Sequence, residues 1–206
     1  PVVIFVFLIF RPWFSLGEIS AGDAGFYFPE TLKGFPSFPH LWIGDGLGSY
    51  NPLLYFFPYL VWALKLWSLS GLPWVLVERI VWYWPFLTLG LFSSWLLAKT
   101  ILPEAKFMRF LAPLVYLFNT YILMIIGGGQ ISIALSYTIA PLVLGLFIQL
   151  TNSPTENYEL RARKTIIAGL VLAAQVCFEP RIALITLIAF GVYRLLFMGK
   201  LRSLRV

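Results

Sequence analysis

Several stretches of this chain are apolar for longer than the roughly 18 residues that call for a lipid bilayer. Inside a bilayer every backbone N–H and C=O must find its partner within the protein, so only helices and closed barrels can cross. A barrel would alternate apolar and polar residues with period two, and no such alternation is sustained here. Helices follow, and the expected fold class is an all-α, polytopic membrane bundle. The composition agrees: 60% of the residues are hydrophobic and only 12% are charged, against about a quarter charged in a soluble domain.

About six spans are expected. Pro1 to Phe14 reads as the end of a first helix, with Arg11, Pro12 and Trp13 as its interfacial stop. Residues 15–52 differ in kind. They hold Glu18, Asp23, Glu30 and Asp45 with Pro29, Pro36, Pro39 and Pro52, and read as a long structured loop. Leu53 to Leu72 is apolar but interrupted by Pro58 and Lys65, which suits a re-entrant or interfacial segment. Further spans are expected at Val75 to Ala98, Phe107 to Ile126 and Ile131 to Leu150, the last two joined by a tight Gly127-Gly128-Gly129-Gln130 turn. Thr151 to Lys164 reads as a polar linker. Thr165 to Phe178 reads as a short helix, Glu179-Pro180-Arg181 as a corner, and Ile182 to Met198 as the return. The 206 residues read as one transmembrane domain and, with no initiator Met, as a piece of a longer protein. The opening run is too truncated to identify as a signal peptide.

Basic residues orient the bundle, because cytoplasmic loops collect Lys and Arg. If 53–72 does not cross, the inside gathers ten of the fifteen basic residues, from Lys99, Lys106 and Arg109 to Lys200, Arg202 and Arg205. The outside then keeps six of the nine acids, including the whole acidic loop. A version with the first helix reversed and 53–72 crossing moves that loop to the cytoplasm. Charge counting disfavours it only weakly, since acids contribute little. The net charge of +6 reflects this asymmetry and does not imply nucleic acid. One cysteine, Cys177, supports neither a disulfide framework nor a Cys-based metal site, and one histidine, His40, excludes a multi-His site. Asp23, Glu30 and Asp45 could hold a divalent cation, but their spacing matches no known ligand pattern.

The candidate site residues lie on the acidic face. Asp23 follows Gly22, and an Asp there is a favoured N-cap for a short helix. Glu30 and Asp45 suit acceptor contacts or loop solvation. His40, between Pro39 and Trp42, suits packing more than proton transfer. Glu78 and Arg79 are sequence neighbours that do not share a helix face, so each is expected to pair elsewhere or to mark the interface. Glu179 and Arg181 are either site residues or groups standing in interfacial water.

The order of these residues resembles a known family. Gly22-Asp23 after an apolar helix, Tyr27 and Pro29, Trp42, Gly44, Gly46 and Gly48, then Tyr50-Asn51-Pro52 and Tyr55-Phe56-Phe57-Pro58 are similar to the first outer loop of GT-C-fold membrane glycosyltransferases. The likeness is to the arabinofuranosyltransferase and YfhO-like branch. The Gly-Gly-Gly-Gln turn, Pro141 and the Glu179-Pro180-Arg181 corner resemble features of the same proteins. Gln130 departs from the pattern, where a histidine is expected. The resemblance implies transfer of a sugar from a polyprenyl-phosphate donor to a glycan, lipid or protein acceptor on the outer face of the plasma (inner) membrane. It implies Asp23 as the base. Arg79 or Arg181 would meet the leaving phosphate, and Glu30, His40, Asp45, Gln130 and Glu179 would stand among the substrate contacts. Trp42 and Tyr50 could pack on a sugar or prenyl chain. A transporter or flippase segment, or a non-catalytic scaffold of the same fold, is the competing expectation.

Overall fold

The structure is a computed structural model and describes residues 2–15, 17, 19, 22, 42–43, 47–50, 63, 66–152 and 157–203. Helices dominate. Helix α1 (Val2–Ile9) runs into a single 3-10 turn at Arg11–Phe14, which Pro12 helps to start. A two-residue antiparallel pair, β1 (Trp42–Ile43) with β2 (Ser49–Tyr50), sets Trp42 opposite Tyr50. After a short helical piece at 66–70 come α2 (Trp74–Ile101), α3 (Lys106–Leu117), α4 (Thr120–Gly127), α5 (Ile131–Asn152), α6 (Tyr158–Phe178) and α7 (Pro180–Ser203).

Three of these are long and apolar enough to cross a membrane: α2, α5 and the Pro180–Phe197 part of α7. The expected span at 107–126 is instead two helices, α3 and α4, bent by 44° at Phe118 and Asn119. Asn119 takes an extended conformation and its side chain accepts the Ile122 N–H at 3.1 Å, so it restarts the chain as an N-cap. Such a cap contributes about 1 kcal/mol. The pair counts as a fourth span only if the two pieces cross as one.

The expected polar linker at Thr151 to Lys164 is shorter than read, and the short helix at Thr165 is longer. Helix α6 begins at Tyr158, where the Asn157 side chain caps it by accepting from Glu159 N–H at 3.3 Å. Its 21 residues span about 31 Å. Every 18-residue stretch of α6 contains Arg161, Arg163 and Lys164, which keeps it out of the set of apolar spans. Of the segment 53–72, residues 66–70 are helical; the re-entrant reading rests mainly on residues outside those described.

The centre of the bundle is where α2 meets α5. A small residue allows the approach: a Cβ on Gly90 would stand 3.2 Å from the Thr138 side chain of α5 and 2.4 Å from the Leu117 side chain of α3. Ser93 donates to the Thr138 carbonyl across this contact at 2.5 Å. Around it pack Trp82, Phe86, Leu117, Ile122, Ile131 and Leu135, all buried. By contrast, α7 leaves Leu184, Ile185, Ile188, Leu195 and Leu196 exposed, the surface a lipid-facing helix needs.

With α3 and α4 taken as one bent path, the helices alternate in direction. The start of α2, the glycine turn after α4 and the corner after α6 share one end of the bundle. Lys99, Lys106, Arg109, Arg161, Arg163 and Lys164 share the other.

Candidate functional site

The site end of the bundle is organised by a buried ion pair. Pro85 has no N–H to donate, and its ring crowds the turn before it. That turn, Arg79–Tyr83, widens to a π-helix in which Trp84 N–H bonds to Arg79 O. At its edge Arg79 Nη1 donates to Glu78 Oε1 at 3.0 Å. Glu78 is 0% exposed and Arg79 1%. The two neighbours therefore pair with each other, contrary to the expectation of separate partners: the guanidinium is long enough to reach back along the helix, where it also donates to Val75 O.

The pair also holds the first loop. Arg79 Nε donates to Trp13 O at 3.1 Å, Nη2 donates to Gly17 O, and Ile19 N–H donates to Glu78 Oε1 at 3.2 Å. Trp84 Nε1 adds a bond to Trp13 O at 3.3 Å. Aromatic contacts extend the grip: Trp13 lies 4.4 Å from Phe10 and 4.8 Å from Tyr83 between ring centroids. Arg79 thus bonds the chain segment 13–17 as well as Glu78.

Three residues beyond Ile19, Gly22 sits with φ +61° directly on the glycine turn. A Cβ at Gly22 would lie 2.3 Å from Gly128 O, so only glycine fits. The turn itself is a Schellman motif. Gln130 N–H bonds to Ile125 O at 3.1 Å, Gly129 N–H bonds to Ile126 O at 3.2 Å, and Gly129 has φ +78°. Gln130 is half-buried, and its carbonyl accepts the Ala134 N–H as α5 begins. Two motifs far apart in sequence thus touch, and Asp23 is the next residue after the contact. Asp23, Glu30, His40 and Asp45 themselves lie outside the described residues. Trp42 is exposed, and a Cβ on Gly48 would meet its ring at 2.4 Å.

The corner between α6 and α7 stands at the same end. Glu179 is extended, and Pro180 opens α7 with its fixed φ. The Glu179 carboxylate accepts the Arg181 backbone N–H at 3.3 Å, as a helix cap does. It also takes a two-point bond from the guanidinium, Nε at 2.7 Å and Nη2 at 3.0 Å. The Arg181 guanidinium holds the Glu179 carboxyl below its ordinary range, against an opposing effect of burial. Glu179 is 6% exposed, whereas the Arg181 side chain is 77% exposed. The corner is therefore a buried carboxylate carrying an exposed cation.

Behind the corner lies a polar cluster in the apolar interior. Gln175 Nε2 donates to Ser136 O at 3.3 Å and to Thr186 Oγ1 at 2.9 Å, while Ser136 Oγ donates to the carbonyls of Gln175 and Glu179, each at 3.2 Å. Gln175 Oε1 is buried with no hydrogen-bond partner among the described residues. No family model, curated protein or solved structure matches this chain. Its functional reading therefore rests on its own chemistry.

A cleft of about 300 Å³ opens beside the cluster, lined by Tyr116, Tyr121, Tyr137, Pro141, Ile182 and Thr186 among others. Tyr116 and Tyr137 stack at 4.2 Å, and Tyr116 donates to Tyr137 O at 2.7 Å. Asn119 Nδ2 bonds the Tyr137 hydroxyl at 3.0 Å, so the break between α3 and α4 forms part of the cleft's support. The sequence reading missed Gln175, Ser136, Thr186 and this tyrosine group. A lone Gln in the run from Thr165 to Phe178 was the one available signal. Among the described residues no three His, Cys, Asp or Glu side chains group as a metal site would require.

Proposed function

We propose that this chain is the membrane part of a GT-C-like glycosyltransferase that moves a sugar from a polyprenyl-phosphate donor to an acceptor at the outer membrane face. The supporting observation is the seating of Gly22 on Gly128: the glycine before Asp23 is locked to the bundle end that also carries Glu179 and Arg181. A catalytic base needs such fixed placement, since loose positioning forfeits much of the rate. In this reading the acceptor hydroxyl attacks the anomeric carbon, its proton passes to the Asp23 carboxylate, and the sugar–phosphate bond breaks. The lipid phosphate leaves with the electron pair, and the exposed Arg181 stabilises its charge. Arg79 serves the loop instead.

The proposal includes six spans, with α1 the end of the first and α6 crossing through its uncharged part. It places the basic end of the bundle inside. The test is turnover of a polyprenyl-phosphate sugar by the wild-type chain and by Asp23→Asn. Loss of turnover with intact folding supports the base; unchanged turnover removes it.

One observation favours a second reading, a transport segment. The α3–α4 break at Asn119, beside a tyrosine-lined cleft, resembles the interrupted helices of transporters. Solute flux in vesicles without sugar transfer would select it.

A further inference from the structure

A second groove, independent of whether the chain is an enzyme, runs along the outer faces of α2 and α3. Its volume is about 370 Å³, and Thr88, Leu91, Phe92, Trp95, Phe110 and Arg109 line most of it. At about 30 Å³ per group of water size it holds roughly a dozen such groups, enough for a length of hydrocarbon chain. From Thr88 to Lys99 the helix rises by about 17 Å.

The groove changes character along that length. At the Thr88 end it is apolar. At the other end Lys99 Nζ stands 5.2 Å from the Trp95 ring centroid. Arg109 Nε is tied to Leu102 O at 3.3 Å, which keeps its guanidinium at the groove's mouth. Lys106 opens α3 one turn away, and Glu104 is the acid on the same connection. Three cations against one carboxylate leave this mouth with a net charge of +2.

We infer that this groove binds an anionic phospholipid of the adjoining leaflet, one acyl chain lying along Phe92, Trp95 and Phe110 and its phosphate held by Lys99 and Arg109. An apolar channel capped by clustered cations next to a membrane matches that chemistry. A second copy of the chain fits poorly, because a two-fold contact would bring the same cations face to face. An uncharged lipid would leave them unanswered.

The full chain is reconstituted in phosphatidylcholine vesicles containing increasing brominated phosphatidylglycerol or, separately, brominated phosphatidylcholine. Bromine quenches nearby tryptophan, and the difference between wild type and Trp95→Phe isolates Trp95. Half-quenching is expected at a mole fraction of phosphatidylglycerol about twenty-five-fold below that of phosphatidylcholine, at about fivefold for each of the two cations. The selectivity should vanish in Lys99→Gln/Arg109→Gln. Equal curves for the two lipids would mean ordinary boundary lipid and overturn the proposal. So would selectivity surviving in the double variant, or a Trp95 that neither lipid quenches because a second copy covers it. Native mass spectrometry of wild type and the double variant, counting retained phosphatidylglycerol, separates the same outcomes without the tryptophan substitution.

Discussion

Replacing Arg79 by Leu should damage the chain more than replacing both members of its pair. Arg79 makes four hydrogen bonds: to Glu78, and to the carbonyls of Val75, Trp13 and Gly17. Arg79→Leu takes the guanidinium away from the Glu78 carboxylate, which is 0% exposed. Removing one partner of a buried pair costs about 3–5 kcal/mol. Trp13 O keeps the Trp84 Nε1 bond, so the loss to the loop falls mainly on Gly17. Glu78→Gln/Arg79→Met removes both charges of the pair together, and a neutral Gln still accepts the Ile19 N–H. The double change should therefore cost about 1–3 kcal/mol, the range of lost neutral hydrogen bonds. Thermal unfolding in detergent gives the ranking. Maleimide labelling of a cysteine placed at Ser15 should quicken in Arg79→Leu, because the bonds lost fasten that stretch. A double variant as unstable as the single would show that the charge imbalance left by removing one member of the pair is not the cause. Unchanged labelling would show that the pair does not hold the loop.

Gly22→Ala should displace the loop from the glycine turn, since its Cβ meets Gly128 O and its φ is +61°; turnover should fall at least tenfold, and an Ala variant of wild-type activity would refute the contact. Glu179 has a depressed folded pKa, so the stability it contributes is present above its unfolded pKa and is lost as pH falls through the folded one. The melting difference between wild type and Glu179→Gln should accordingly be full at neutral pH and close in acid; a difference independent of pH would sink that account. Cys177 is exposed beside the corner, so it and Ser20→Cys (in a Cys177→Ser background) should both react with an impermeant maleimide from outside intact cells. Ser20→Cys reacting only after the membrane is opened would put the acidic loop inside and end the glycosyltransferase proposal.

Long apolar runs made α2, α5 and α7 legible, because span length is a property of composition and needs no tertiary context. The glycine turn was legible for the same kind of reason: Gly129 needs positive φ, and three glycines in a row announce such a turn. What stayed hidden depended on contacts across the chain. The α3–α4 break involves no proline at the bend itself; Asn119 makes it by capping, and Asn reads equally well inside a polar helix face. The start of α6 was misplaced because Arg161, Arg163 and Lys164 look like linker, although charged residues form helix readily at a membrane edge. The Glu78–Arg79 pairing was misjudged from ideal helix angles. A π turn and a long guanidinium changed the geometry, and Pro85 was the cue.

The arrangement separates two demands that a membrane protein usually sets against each other. Buried charge is costly in a bilayer, yet a polar substrate needs charge nearby. Here the fully buried charges, Glu78 and Arg79, spend hydrogen bonds on each other and on the chain segment 13–19, so they act as a fastening. The exposed charge, Arg181, is held by the mostly buried Glu179, which fixes its direction while leaving its outer face in contact with the surroundings. Rigid placement thus comes from below and access from above. The same division recurs at the opposite end, where Arg109 is tied through Nε to Leu102 O while its guanidinium lines an open groove. In both places bonds to the scaffold orient a cation without burying it, and that is the condition under which a cation near lipid can select an anionic group.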